Sequence, residues 1–114
     1  MKSAHRGQVD GELQSLLDAV KANGDRFLKS PNETRLESYK DSIQAFLKRA
    51  GKELFSLKEE FGAAGRGQQK VYQLVETVNR DLDALTRETL EKDKALQLLS
   101  ALDDIRGLLI DLIT

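Results

Sequence analysis

The sequence predicts an all-α protein, an antiparallel bundle of about four helices. Three observations carry that expectation. Apolar residues recur at alternating three- and four-residue steps along most of the chain, which stacks them on one stripe of successive helices. The longest such run is Leu36, Ile43, Leu47, Ala50, Leu54, Leu57 and Phe61, interrupted only by Lys40. The charged fraction is 32% and the aromatic fraction 5%, with no tryptophan, which suits Leu-rich seams under charged faces better than a β-sandwich. Pro31, the single proline, stands between two of the stripes.

Residues 1–10 are polar and Gly-containing, with no apolar core of a secretory signal, and read as a flexible N-terminal tail. Residues 11–114 then form a single helical-bundle domain. Its first stripe is Leu13, Leu16, Leu17, Val20, Phe27 and Leu28, carried to about Lys29. Asn23-Gly24 is a turn signal inside it, but Val20 and Phe27 stay in phase across the pair, so the spacing predicts a weakened helix. Ser30-Pro31-Asn32-Glu33 opens the second helix. The fixed φ of Pro31 suits a first helical position, Ser30 can cap, and Glu33 three residues later completes a capping box. That helix runs from residue 31 to about 61, with Tyr39 and Phe46 widening its buried stripe.

Residues 62–67, rich in glycine, end the second helix and read as a flexible connector. A third stripe begins at Gln68 with Val71, Leu74, Val75, Val78, Leu82 and Leu85. The fourth, from about Lys94, holds Leu96, Leu99, Leu102, Ile105, Leu109 and Leu112. No glycine or proline separates these two, yet the register changes. A short break or kink near residues 91–93, with Asp93 as a cap, is expected; one long kinked helix is the alternative. Gly51 and Gly107 fall inside helices, where each costs about 1 kcal/mol against alanine, and point to the close approach of another helix.

Composition excludes several functions. With 18 Lys and Arg against 19 Asp and Glu, the net charge is −1, too small to draw the molecule onto nucleic acid or an anionic membrane. There is no cysteine, and the one histidine, His5, lies in the expected tail. Disulfides, thiolate zinc sites, a carboxylate-bridged di-metal site and a nucleophilic triad all lack their parts. Residues 62–69 have the glycine spacing of a phosphate-binding loop. However, Gln68 and Gln69 stand where its lysine and hydroxyl belong, and no strand precedes. No apolar run approaches the roughly 20 residues of a membrane-spanning helix.

The expectation is therefore a cytoplasmic protein with no catalytic, cofactor-binding or metal residues, and no small-molecule substrate is identified. It would act as a non-enzymatic adaptor or regulator through a protein partner or self-association. The alternative is a nucleic-acid-associated protein using Lys48, Arg49, Lys52, Arg66 and Lys70, against which stands the lack of interleaved aromatics. The last turns, Gly107-Leu108-Leu109-Ile110-Asp111-Leu112-Ile113-Thr114, are apolar over much of the circumference. Such a helix is either central in a bundle or partly a docking surface. Most of these residues are expected in the core. Ile110 foremost is left for an exposed strip, and Arg66, Lys70, Arg106, Ile110 and Ile113 are the candidate interaction residues.

Lys70-Val71-Tyr72-Gln73-Leu74-Val75, the Leu82-x-x-Leu85-Thr86 pair and the block Ile105-Arg106-Gly107-Leu108-Leu109-Ile110-Asp111-Leu112 resemble the YaaR family. In the first half, Gly24-x-Arg26-Phe27-x-x-Ser30, Tyr39 and Phe46-Leu47-Lys48 fall in that family's order. The resemblance covers residues 13–114. It implies a helical bundle in a bacterial cytoplasm, of unassigned function and with no catalytic residues to carry over. It also implies a longer polar N-terminal segment in relatives, so that this chain starts late.

Overall fold

The computed structural model describes residues 2–61 and 66–113, with the side chains of 5–59 and 67–113. Four helices follow one another: α1 Lys2–Lys29, α2 Glu33–Phe61, α3 Arg66–Ala84 and α4 Lys92–Leu112. Among the described residues there is no strand. Gly24 faces Tyr39 and Arg26 bonds to Arg35, whereas Glu12 meets Arg49, so α1 and α2 run antiparallel. Asp81 pairs with Lys94 and Gly67 faces Leu112, which makes α3 and α4 antiparallel as well. α4 packs against all three other helices, while among the described residues no Cα of α1 comes within 8 Å of one in α3.

The stripe read on α2 is the core. Leu36, Ile43, Leu47, Ala50, Leu54 and Leu57 are all buried, joined by Tyr39 and Phe46. The side chain of Phe61, and residues 62–65 of the expected connector, lie outside the described residues; Gly67, assigned to that connector, is already helical in α3.

The expected tail is instead the first third of α1. Val9 is 0% exposed, one helical step before Leu13 and Leu17 in the same seam. Asp10 accepts from Arg106 Nη1 at 2.6 Å, and His5 lies 3.5 Å from Glu53. A single buried valine and two cross-helix polar contacts extend the helix where local sequence offers little, because tertiary packing supplies most helical stability.

The start of α2 is also built differently. The Asn32 side-chain oxygen accepts from the Arg35 N–H at 2.8 Å, and the Asn32 carbonyl accepts from the Leu36 N–H at 3.0 Å. Asn32 is therefore the N-cap, not Ser30. The reason is position: the helix begins at Glu33, so a box closed by Ser30 and Glu33 would sit two residues too early. Ser30 belongs to the end of α1, its N–H donating to the Arg26 carbonyl at 3.1 Å.

The third and fourth stripes are separate helices, and the break falls at residues 85–91, ahead of the position expected. Asp93 lies in the first turn of α4 rather than at its cap, which is Glu91. The seam of α4 is Leu98, Leu102, Ile105 and Leu109, a regular four-three-four spacing. Leu96, expected in the seam, is 55% exposed.

Gly51 and Gly107 have nothing within 4 Å of where a Cβ would stand, so neither marks a helix contact. The close approaches are elsewhere. A Cβ on Gly24 would lie 3.1 Å from Tyr39 Cε1, and one on Gly67 would lie 2.9 Å from Leu112 Cδ2. Asn23-Gly24 is thus not a weak point but the place where the Tyr39 ring lies against the α1 backbone.

Candidate functional site

Two regions of the molecule bring polar side chains together. The first joins the N-terminal half of α1 to α2 and α4. Arg49 donates to Glu53 on its own helix and to Glu12 across the interface, with Nη2 2.6 Å from Glu12 Oε2. The hydrogen bond and charge of Arg49 hold the Glu12 carboxyl below the usual carboxylate range. Arg106 donates to Asp103 at 2.9 Å and to Asp10 at 2.6 Å. These groups satisfy one another, and their arrangement fastens three helices.

The second region lies further along α1, from Gln14 onward, where it meets α4. A recess of about 370 Å³ there is flanked by Gln14, Asp18, Leu99 and Asp103. Beside it, reaching inward to α2, is a cavity of about 130 Å³ with Gly24 and Tyr39 in its wall. Leu96 borders both. Tyr39 is 1% exposed, and its hydroxyl has no hydrogen-bond partner among the described residues. Burial pushes that phenol up to about 12.

The residues expected to meet a partner do not assemble into one surface. Ile110 and Ile113 are buried. The exposed strip expected there does not exist: α4 packs against α1, α2 and α3, and its last turns bury Ile110, while its exposed large apolar residue is Leu96, near the other end. Arg106 is committed to Asp10 and Asp103. Lys70 is exposed on α3, and the side chain of Arg66 lies outside the described residues. Of the basic set weighed for nucleic acid, Lys48 and Lys52 are exposed, but Arg49 is held by the two glutamates.

The sequence stripes missed the outward-facing Leu96 and Phe55, the latter 60% exposed. Period alone cannot separate Leu96 from Leu98 and Leu99, since three leucines within four positions allow more than one register. The Gly24–Tyr39 contact carried a signal: a turn-forming pair kept in helical phase asks for a reason why no side chain is tolerated there. Among the described residues, no group of three or more His, Cys, Asp or Glu could hold a metal ion. None of the helices described is long and apolar enough to cross a membrane.

Comparison with known proteins returns one family. A family model described as a protein of unknown function (DUF327) matches residues 1–113. The chain is 32% identical over 104 residues to the uncharacterized protein YaaR of Bacillus subtilis, covering 90% of this chain and 71% of that protein. No solved structure matches.

Proposed function

The chain belongs to the DUF327 family of proteins of unknown function, and we propose that it works in the cytoplasm as a non-enzymatic adaptor or regulatory interaction protein. The observation that supports this reading is how the side chains are spent. The charged groups brought together, Arg49 with Glu12 and Arg106 with Asp10, are used to fasten one helix to another. A large apolar side chain, Leu96, stands outside beside a recess between α1 and α4. Large apolar side chains kept at the surface next to a concavity are more typical of a contact face than of a solvated helix side.

The test is retention of binding proteins by the full chain and by its Leu96→Asp variant, with melting temperature as the control for folding. Because Leu96 is exposed, the substitution should leave stability within about 0.5 kcal/mol. Specific loss of one retained protein in the variant supports the reading. An unchanged set of retained proteins removes Leu96 from it.

A further inference from the structure

We propose that the exposed faces of α2 and α3 form a self-complementary surface, through which two copies of this chain pair about a two-fold axis parallel to those helices. The inference is independent of the contact face at Leu96, which lies on α4 beside α1.

The first ground is position. α1 and α3 each pack against α2 and α4 but not against each other, so they lie on opposite sides of the α2–α4 pair. Arg49 and Glu53 mark the side of α2 that meets α1. At roughly 100° per residue, Phe55 lies about 160° round the helix from Glu53, on the flank toward α3. Gly67 and Asp81 mark the side of α3 that meets α4, and Tyr72 stands on the flank away from them, beside α2. Phe55 is 60% exposed and Tyr72 is 42% exposed. α1 is antiparallel to both α2 and α4, and α3 is antiparallel to α4, so α3 runs antiparallel to α2. Phe55 comes six positions before the end of α2 at Phe61, and Tyr72 six after the start of α3 at Arg66. The two rings therefore stand at about the same height on either side of one seam.

The second ground is unspent charge of opposite sign on the two ridges. Lys48 and Lys52 share the exposed face of α2 with Phe55, while Glu76 and Asp83 share that of α3 with Tyr72. None of the four enters an ion pair among the described residues. Ion pairs fasten α1 to α2, α1 to α4 and α3 to α4, but among the described residues none joins α2 to α3. Rotating a second copy about the seam lays its α3 on the α2 of the first, and its α2 on the α3. Phe55 then meets Tyr72 of the partner copy, in both directions. Lys52, three positions from Phe55, comes opposite Glu76 of the partner copy, four positions from Tyr72. Lys48 reaches toward Asp83, and Glu59 falls opposite the uncharged Gln69.

The third is Gly51, one turn from Phe55. A glycine weakens a helix interior, and the chain itself places nothing within 4 Å of where its Cβ would stand. A second copy closing on that space supplies the close approach that the single chain lacks. A face that carries both a charge pattern and its complement fits a copy of itself before any other partner. The net charge of −1 opposes the encounter little.

The experiment is sedimentation equilibrium of the full chain. A monomer–dimer equilibrium should appear with Kd on the order of 100 μM, as suits a face at the small end of specific interfaces. Phe55→Asp should weaken it more than about tenfold with the melting temperature unchanged, since the ring is exposed in the single chain. Lys52→Glu and Glu76→Lys should each weaken it roughly tenfold, because like charges then meet twice. An equimolar mixture of those two variants should recover the native Kd, since every contact between unlike copies again joins opposite charges.

A native chain that stays monomeric up to about 1 mM, far above that Kd, overturns the proposal. So does a mixture that associates no better than either variant alone, for α2 is then not set against α3. A dimer that survives Phe55→Asp but is lost on Leu96→Asp overturns it as well, because the pairing face would be the one on α4.

Discussion

The turn between α1 and α2 and the turn between α3 and α4 lie at one end of the bundle, linked by Arg87 and Glu33 at 3.1 Å, yet they share almost no parts. The first consists of Ser30, Pro31 and Asn32, all exposed. Its work is done by hydrogen bonds to helix ends. Asn32 caps α2, and the Arg26 carbonyl at the end of α1 accepts both the Ser30 N–H and, at 2.8 Å, Arg35 Nη1. The second turn spans residues 85–91 and contains neither proline nor glycine. Leu85 and Leu90 are buried at its two ends. Between them the Thr86 N–H donates to Thr89 Oγ1 at 2.8 Å, and the Thr89 N–H donates back to Thr86 Oγ1 at 3.3 Å. One turn is imposed by local stereochemistry; the other exists because two leucines are drawn into the core and the chain between them must fold back on itself.

That difference sets an order of sensitivity. Removing a buried anchor of the second turn should cost most: Leu90→Ala is expected to lose about 2–4 kcal/mol, against less than about 1 kcal/mol for Pro31→Ala. Urea unfolding of the two variants measures it, and equal losses would break the distinction between a packed turn and a stereochemical one.

Next in size is a pH effect confined to the side of the first turn, where Tyr39 packs on Gly24. Burial raises its folded-state pKa to about 12 from the ordinary 10.0, so the neutral phenol is the form the fold favours. The contribution is whole below pH 10 and is lost as pH rises toward 12, by roughly 2–3 kcal/mol in all. Tyr39→Phe lacks this loss, and at neutral pH it should match or exceed the native stability because no hydrogen bond is removed. Stability measured on both chains from pH 9 to 12 isolates the effect, since lysine deprotonation is common to both. Parallel curves would place the phenol in a wetter environment than the structure gives.

The cap comes third. Asn32→Ala should destabilise by about 1 kcal/mol, while Ser30→Ala should change stability by no more than a few tenths. Reversed urea midpoints would return the cap to Ser30. The smallest effect belongs to the reciprocal threonines. Thr86→Ala and Thr89→Ala should each cost about 0.5–1 kcal/mol, with the double variant costing less than their sum because the bonds are shared. Full additivity would mean that the two hydroxyls act separately.

The same contrast explains what could be read in the chain and what could not. The α2 stripe was legible because each of its positions obeys one period over nearly thirty residues. Helix capping was legible only as a neighbourhood: Ser30 and Asn32 are both good caps, and the choice rests on where the first helical residue falls. The α3–α4 break was legible as a change of register but misplaced, since nothing in Thr86-Arg87-Glu88-Thr89 breaks a helix by itself. The first ten residues were illegible for a different reason. Val9, Asp10 and His5 are helical through partners on α2 and α4, and a one-dimensional pattern does not show partners. Ile110 looked like surplus apolar surface because the circumference of a central helix exceeds what a single stripe can account for. For the site, Gly24 and Tyr39 were each noticed, but only the fold brings them face to face.

The Asp10–Arg106 pair carries a consequence for the order in which the molecule assembles. Its partners are 96 positions apart, whereas the Arg35–Arg26 bond across the first turn spans nine. Closing the larger loop costs about 2 kcal/mol more chain entropy, so the α1–α2 hairpin can form early while α4 waits for nearly the whole chain. The seam between α1 and α4, with the recess beside it, is then a late event. Weakening it should hasten unfolding far more than it slows folding.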